Sequence, residues 1–381
     1  MKENEIVVSE IESDSSGCVS ARVRTLETDR TIWFQLPDSH RPHPDSIATA
    51  IASVFGTGYD HWTYLGPIST EALSQLETVT AADWDAPLYS VMAREPGPNT
   101  ILSFSGGFDS MAALALLGES TPLVSVDFGS RFQRERAFFE QFDTAIVETN
   151  ARDFEQSWTF MGSAAILMAD YFDGGYLSFG SILEASPWGM LERRTPRIGH
   201  PVFRASGLDE TNPLAGMTEF ATARLAAMAY PGLIAESLLS LADLHTEKYM
   251  RKYLMLQIVK ENLNDLNLGD IPKPSMTSPI RFGSNFAADF LAPGLWTHNE
   301  NSSGWMEIPL GFNTWRAGKD FNFYWSELPN QTFHPRETDN QEISKRKSLY
   351  GIKPYDAIDW DNFRSVLEII KFFHQLPGKS W

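Results

Sequence analysis

The sequence predicts an α/β fold, a parallel sheet with helices on both faces, joined to a small α+β N-terminal domain and an aromatic-rich C-terminal extension. Three observations predict it. Thr100-Ile101-Leu102-Ser103-Phe104 is a short apolar run that leads into Ser105-Gly106-Gly107-Phe108-Asp109-Ser110 and then into the helix-forming stretch Met111-Ala112-Ala113-Leu114-Ala115-Leu116-Leu117. Leu123-Val124-Ser125-Val126 is a second apolar strand of this kind, and Tyr176-Leu177-Ser178-Phe179, after a helix over about 160–171, is a third. Short apolar strands that alternate with helices pack as a parallel sheet whose faces the helices cover.

Residues 1–92 read as the N-terminal domain. Val19-Ser20-Ala21-Arg22-Val23 alternates as a strand does, Thr31-Ile32-Trp33-Phe34-Gln35-Leu36 is its partner, and a helix follows, capped by Asp45 or Ser46, with Ile47, Ile51 and Val54 on one face. His40-Arg41-Pro42-His43 offers two imidazoles without a third ligand nearby, the pattern of a polar loop. Glu95-Pro96-Gly97-Pro98 has linker composition, so the alternating domain is placed at 98–265. The apolar stretch 224–244 is interrupted by Tyr230-Pro231-Gly232 and Glu236, which predicts helices around a break and no membrane span. In the extension, 266–381, Trp296, Trp305, Trp315 and Trp325 are expected to pack a core or an interface, and an amphipathic helix over about 360–375 buries Phe363, Val366, Leu367, Ile370 and Phe373.

The chain has 381 residues, enough for a sizeable core, and its one cysteine, Cys18, allows neither an internal disulfide nor a paired-thiol site. A formal charge of −18 disfavours a nucleic-acid surface. Met1-Lys2-Glu3-Asn4-Glu5 carries no apolar leader core, and a soluble, cytoplasmic protein is expected, acting on a small molecule or with a protein partner.

The chemistry is concentrated at Ser105–Ser110. Adjacent glycines let the backbone turn sharply and approach an anion, and the following helix aims its N-terminal dipole at that anion. A capped strand-to-helix turn is the alternative reading. Neither a Walker A lysine nor the third glycine of a dinucleotide fingerprint is present.

Ser-Gly-Gly-x-Asp-Ser resembles the PP-loop of the N-type ATP pyrophosphatases, the adenine nucleotide alpha hydrolase-like superfamily. Asp127-Phe128-Gly129-Ser130-Arg131 with Glu135, and Asn212-Pro213-Leu214-Ala215-Gly216-Met217-Thr218-Glu219, look like segments of its 7-cyano-7-deazaguanine synthases. The likeness covers about residues 98–260. It implies an ATP-dependent ligase or synthase that adenylates a small carboxylate, a 7-deazapurine being one candidate, releases pyrophosphate, and passes the adenylate to ammonia, an amine or a protein acceptor. It also implies ATP and Mg²⁺ as cofactors. Nucleotide contacts fall on Ser103, Ser105, Gly106, Gly107, Phe108, Asp109, Ser110, Asp127, Phe128, Gly129 and Gly180, with Ser105, Asp127 and Gly180 expected in one crevice beyond the strand ends. Asp109 and Ser110 are assigned to catalysis, their side chains pointing from the turn to solvent or ligand, and Asp109 also to Mg²⁺. Glu184 is a magnesium or substrate contact, or else a surface carboxylate.

Two departures stand out. Where those synthases carry four zinc-binding cysteines this chain has Leu244-His245-Thr246-Glu247-Lys248-Tyr249-Met250-Arg251-Lys252-Tyr253, so no zinc is expected, and their third-segment lysine is Glu219. Lys248, Arg251 and Lys252 line an anion site or a solvated helix face. The loop over 188–204, with Arg193, Arg194, Arg197 and His200, reads as a lid whose Arg193 and Arg197 clamp phosphate, or as a solvated connection. The rival function is a non-catalytic module that senses a nucleotide and acts through protein partners, for example in an antiphage system.

Overall fold

The N-terminal strands do not form a sheet of their own. In the computed structural model, which describes residues 4–87, 90–129, 133–154, 157–185, 190, 200–263, 266–276, 278–298, 304–329 and 334–374, they extend the central sheet. The strands are β1 (Glu5–Ser13), β2 (Cys18–Arg24), β3 (Asp29–Gln35), β4 (His61–Tyr64), β5 (Asp83–Asp85), β6 (Asn99–Ser103), β7 (Leu123–Asp127), β8 (Thr144–Thr149), β9 (Gly174–Ser178) and β10 (Asp209–Thr211). Helices α1 (Pro44–Phe55), α2 (Thr70–Thr80), α3 (Phe108–Leu117), α4 (Gln133–Phe139), α5 (Ser163–Leu167) and α6 (Glu219–Ala229) come first. They are followed by α7 (Ile234–Leu241), α8 (Glu247–Asn262), α9 (Phe286–His298), α10 (Glu337–Leu349) and α11 (Ala357–His374).

Two compact units, each discontinuous in sequence, share the chain: Met1–Ser105, Ser120–Phe179 and Gly199–Thr211 in the first, Gly106–Glu119, Gly180–Ile198 and Asn212–Trp381 in the second. Boundaries at 92 and 265 therefore do not coincide with unit boundaries, because strand pairing and core packing join segments that composition separates.

The first unit holds the ten-stranded, mostly parallel sheet, ordered β10-β9-β6-β7-β8-β3-β2-β1-β4-β5. From β10 to β8 all pairs are parallel, and strand order runs outward from β6 in both directions. All of β7 is buried, as a strand covered on both faces must be. The antiparallel pair β3–β8 then joins the N-terminal meander to this core. Strand β8 escapes a search for apolar runs because Thr144, Glu148 and Thr149 break its pattern. At the far end Trp62 and Trp84 face each other across β4–β5, stacked with centroids 4.5 Å apart.

Local chemistry explains where these helices start. Pro44 opens α1 and His43 is its cap, accepting from Asp45 N through Nδ1 at 3.1 Å. Asp45 instead turns inward and accepts from Ser69 N and Ser69 Oγ, each at 2.8 Å, and from Arg94 N at 3.1 Å. The helix expected over 160–171 is a 3-10 turn, Trp158–Gly162, continued by the single short helix α5. Gly162 lies against the rings of Phe179 and Phe203, where a Cβ would come within 2.8 Å of Phe179.

The Pro-Gly segment 95–98 is packed rather than free. A Cβ on Gly97 would collide with the Asp173 carbonyl, and neighbouring Arg94 is buried, donating to Asp170 Oδ1 at 2.7 Å, Ser206 O at 2.9 Å and Gly174 O at 2.5 Å.

In the second unit α3, α6, α7 and α8 carry the loop described below, and the C-terminal segment completes their core. Phe220, Leu254, Met255 and Ile258 pack in one cluster with Phe290, Trp305, Phe321, Phe323, Tyr324 and Phe363. Trp296 and Trp305 are buried there and Trp315 and Trp325 partly so, which gives the aromatic richness of residues 266–381 its use. Among the described residues no helix is long and apolar enough to cross a membrane.

Arg94→Met should destabilise the protein by about 2–3 kcal/mol, since it removes the cation paired with Asp170 and leaves the buried Ser206 carbonyl without its guanidinium donor. Urea denaturation of variant and wild type measures this; a loss under about 1 kcal/mol would show that water replaces the guanidinium.

Candidate functional site

The glycine-rich turn lies at the start of α3. Gly106 has φ +69°, a conformation that side chains resist, and Gly107 (φ −79°, ψ 166°) stands at the N-cap with no capping side chain. Ser105 is exposed, whereas Ser110 is buried and donates to Gly107 O at 3.0 Å, so its hydroxyl braces the turn from within instead of facing solvent. Phe108 is wholly buried.

The second unit grips this loop from three helices. Ser237 of α7 donates to Gly106 O at 2.6 Å, Thr222 of α6 donates to Asp109 Oδ1 at 2.5 Å, and Lys252 of α8 sets its ammonium 4.7 Å from the centre of the Phe108 ring. Gly180, at φ +63°, closes on the same turn: a Cβ there would stand 3.1 Å from Asp109 O and 3.2 Å from Ala113 Cβ. At the other end of α3, Arg346 donates to Leu116 O at 3.1 Å, a cation where the helix dipole is negative.

Beside the loop lies a buried ionic cluster. Glu219, 4% exposed, is paired with both Arg251 and Lys252, and Arg251 also meets Glu247 at 2.8 Å. Lys248 is exposed, so one of the three cations of α8 follows the solvated-face expectation and two do not. Burial lowers the Lys252 pKa to about 8 against the attraction of Asp109. Glu184 is not a surface carboxylate: it is buried, Oε1 accepts from Glu219 N at 2.7 Å, and Oε2 has no hydrogen-bond partner among the described residues. Burial raises its pKa to about 8.

In the first unit, Ser105 and Asp127 come to the same end of the sheet because β6 and β7 are parallel neighbours. Ser103 Oγ donates to Met161 O at 3.2 Å. Asp127 accepts from Gly129 N at 2.7 Å and from Arg136 at 2.6 Å, and Arg136 reaches Glu148 at 2.5 Å, so this carboxylate first of all shapes the turn after β7. Gly129, at φ +71°, has nothing within 4 Å of a would-be Cβ, and the half-buried Phe128 ring packs on Phe160 with centroids 5.6 Å apart.

Gly106, Gly107, Phe108, Asp109, Ser110, Gly180 and Glu184 thus belong to the second unit, Ser103, Ser105, Asp127, Phe128 and Gly129 to the first. Arg193, Arg194 and Arg197 lie outside the described residues, as do Ser130 and Arg131. Thr222, Ser237 and Arg136 were missed from sequence. Only Thr222 left a trace, one turn after the helix-capping Thr218 and so on the same face. Among the described residues no group of three or more His, Cys, Asp or Glu is arranged to hold a metal ion.

No protein-family model matches the chain, and neither a curated protein nor a solved structure does.

The protonation of Glu184 has a measurable sign. Its pKa is about 8 in the fold against 4.5 for the free group, so the native state binds the extra proton between these values. The stabilisation from this group is full below pH 4.5 and drains away as pH rises towards 8, by up to about 1.4 kcal/mol per pH unit. Glu184→Gln, which stays neutral, should flatten the stability profile in that window and be the more stable protein at pH 8; parallel profiles in urea denaturation would show Glu184 ionised in the fold.

Proposed function

We propose that this protein binds ATP at the Gly106–Gly107 turn and splits it into AMP and pyrophosphate while activating a small carboxylate as its adenylate. The observation that carries this reading is the turn itself: a left-handed glycine and an N-cap glycine open α3 directly after β6, the strand from which sheet order runs outward in both directions. In open α/β sheets anionic ligands favour that position, where backbone N–H groups and the helix dipole meet them without steric hindrance.

The reaction follows from the parts. A substrate carboxylate oxygen attacks the α-phosphorus, the bond from that phosphorus to the bridging oxygen of the β-phosphate breaks, and pyrophosphate leaves with the electron pair. Peptide dipoles at Gly106 and Gly107 and the Ser105 hydroxyl stabilise the departing charge, the largest contribution a preorganised site makes to such a transfer. Asp109 fits a divalent ion, since among the described residues Thr222 takes one carboxylate oxygen and leaves the other, and Mg²⁺ bound there together with phosphate oxygens would supply charge neutralisation. The adenylate then passes to ammonia, an amine or a protein acceptor.

Pure protein with Mg²⁺, ATP and a panel of carboxylates, 7-deazapurine carboxylates among them, should release AMP and pyrophosphate; ADP and phosphate as the products would overturn the proposal. Asp109→Asn should cut turnover by about 100-fold or more with the melting temperature nearly unchanged. Gly107 has a backbone conformation open to any residue, so Gly107→Val adds bulk to the turn without backbone strain. It should abolish nucleotide binding while circular dichroism stays native. Full binding by that variant would move the phosphates elsewhere.

A further inference from the structure

The hold on Asp109 suggests how the loop is prepared for its ligand. Thr222 is 0% exposed and lies 113 residues further along the chain, yet its hydroxyl meets Asp109 Oδ1 at 2.5 Å, the separation of a charge-assisted hydrogen bond. The same hydroxyl is 3.2 Å from Glu219 O, one turn back in α6. A hydroxyl has a single proton, and the shorter contact to an ionised acceptor claims it. The helix alone does not require this arrangement, because a threonine inside a helix can bond its own preceding turn.

We infer that Thr222 is a positioning residue of the nucleotide site: by holding one carboxylate oxygen it selects the orientation in which Asp109 meets the bound triphosphate. The inference rests on the nucleotide reading above. Its surroundings make such a tether useful. Lys252 and Arg251, buried close enough to attract Asp109, are already bound to Glu219, so their charge draws the Asp109 carboxylate inward towards α8. The Thr222 hydroxyl opposes that collapse and keeps the second oxygen available. Ser237, bound to Gly106 O, does the equivalent for the backbone of the turn, so α6 and α7 each fix one component of it.

The test is calorimetric binding of α,β-methylene-ATP with Mg²⁺, which no turnover complicates, for wild type, Thr222→Val, Thr222→Ser, Asp109→Asn and the Thr222→Val/Asp109→Asn double variant, each checked for native circular dichroism. Thr222→Val should weaken binding about tenfold, Thr222→Ser should restore it to within about twofold, and the double variant should bind no worse than Asp109→Asn alone. Wild-type affinity in Thr222→Val, failure of Thr222→Ser to restore it, or additive losses in the double variant would overturn the inference, because Thr222 would then not act through Asp109. A Thr222→Val protein that does not fold leaves the decision to Thr222→Ser and Thr222→Ala, for which the inference expects near-native and about tenfold weaker binding respectively. Wild-type protein that binds no analogue would overturn the nucleotide reading and this inference together, and is told apart by that first titration.

Discussion

Charge removed from water must be answered by charge, and Glu219 imposes that rule on the second unit. With 4% of its surface exposed, it holds Arg251 and Lys252 of α8 against α6 and so determines how two helices meet beside the glycine turn. The rest of the neighbourhood follows. Glu184, its pKa pushed up to about 8 by burial, accepts the Glu219 amide, while Lys252 leans on Phe108 and turns an apolar anchor of α3 into part of the cluster. The carboxylate of Glu219 is therefore not a deficit of charge. It comes with two buried cations of its own.

The first unit answers its buried charges separately, Arg94 with Asp170 and Asp45 with hydrogen-bond donors. Asp45 and Arg94 are both buried, and each satisfies backbone groups as well as side chains: Asp45 those of Ser69 and Arg94, Arg94 those of Gly174 and Ser206. The Pro-Gly segment next to Arg94 is consequently held close to Asp173 and Gly174, at the start of β9. This is why a linker by composition became a seam of the fold. The ten-stranded sheet is continuous across it, and the meander of β1–β3 supplies strands that a freestanding N-terminal domain would otherwise have had to pack alone.

The strand–turn–helix of residues 99–117 was readable because each part is local. Apolar residues in a short run favour a buried strand, two glycines permit the turn, and alanines and leucines favour a helix. The C-terminal amphipathic helix was readable for the same reason, its apolar residues recurring at helical spacing over α11. Where competing interactions were distant, sequence reasoning saw less. Ser110, read as pointing to solvent or ligand, is buried and bonds Gly107 O, the surface-carboxylate reading of Glu184 fails because the residue is buried, and β8 was hidden by its threonines.

By itself the sequence determined the type of the main elements, the position of the glycine turn and the absence of paired cysteines, since these depend on residues within one turn or strand of each other. Tertiary structure decided which strands are neighbours, which charges leave water, and which side chains support the turn. The contacts responsible span the chain: Thr222 and Asp109 are 113 residues apart, Ser237 and Gly106 131, Arg94 and Ser206 112. No local pattern encodes such pairs, because the energy of a buried hydrogen bond or ion pair depends on what surrounds it after folding, and that environment exists only once the distant segments have met.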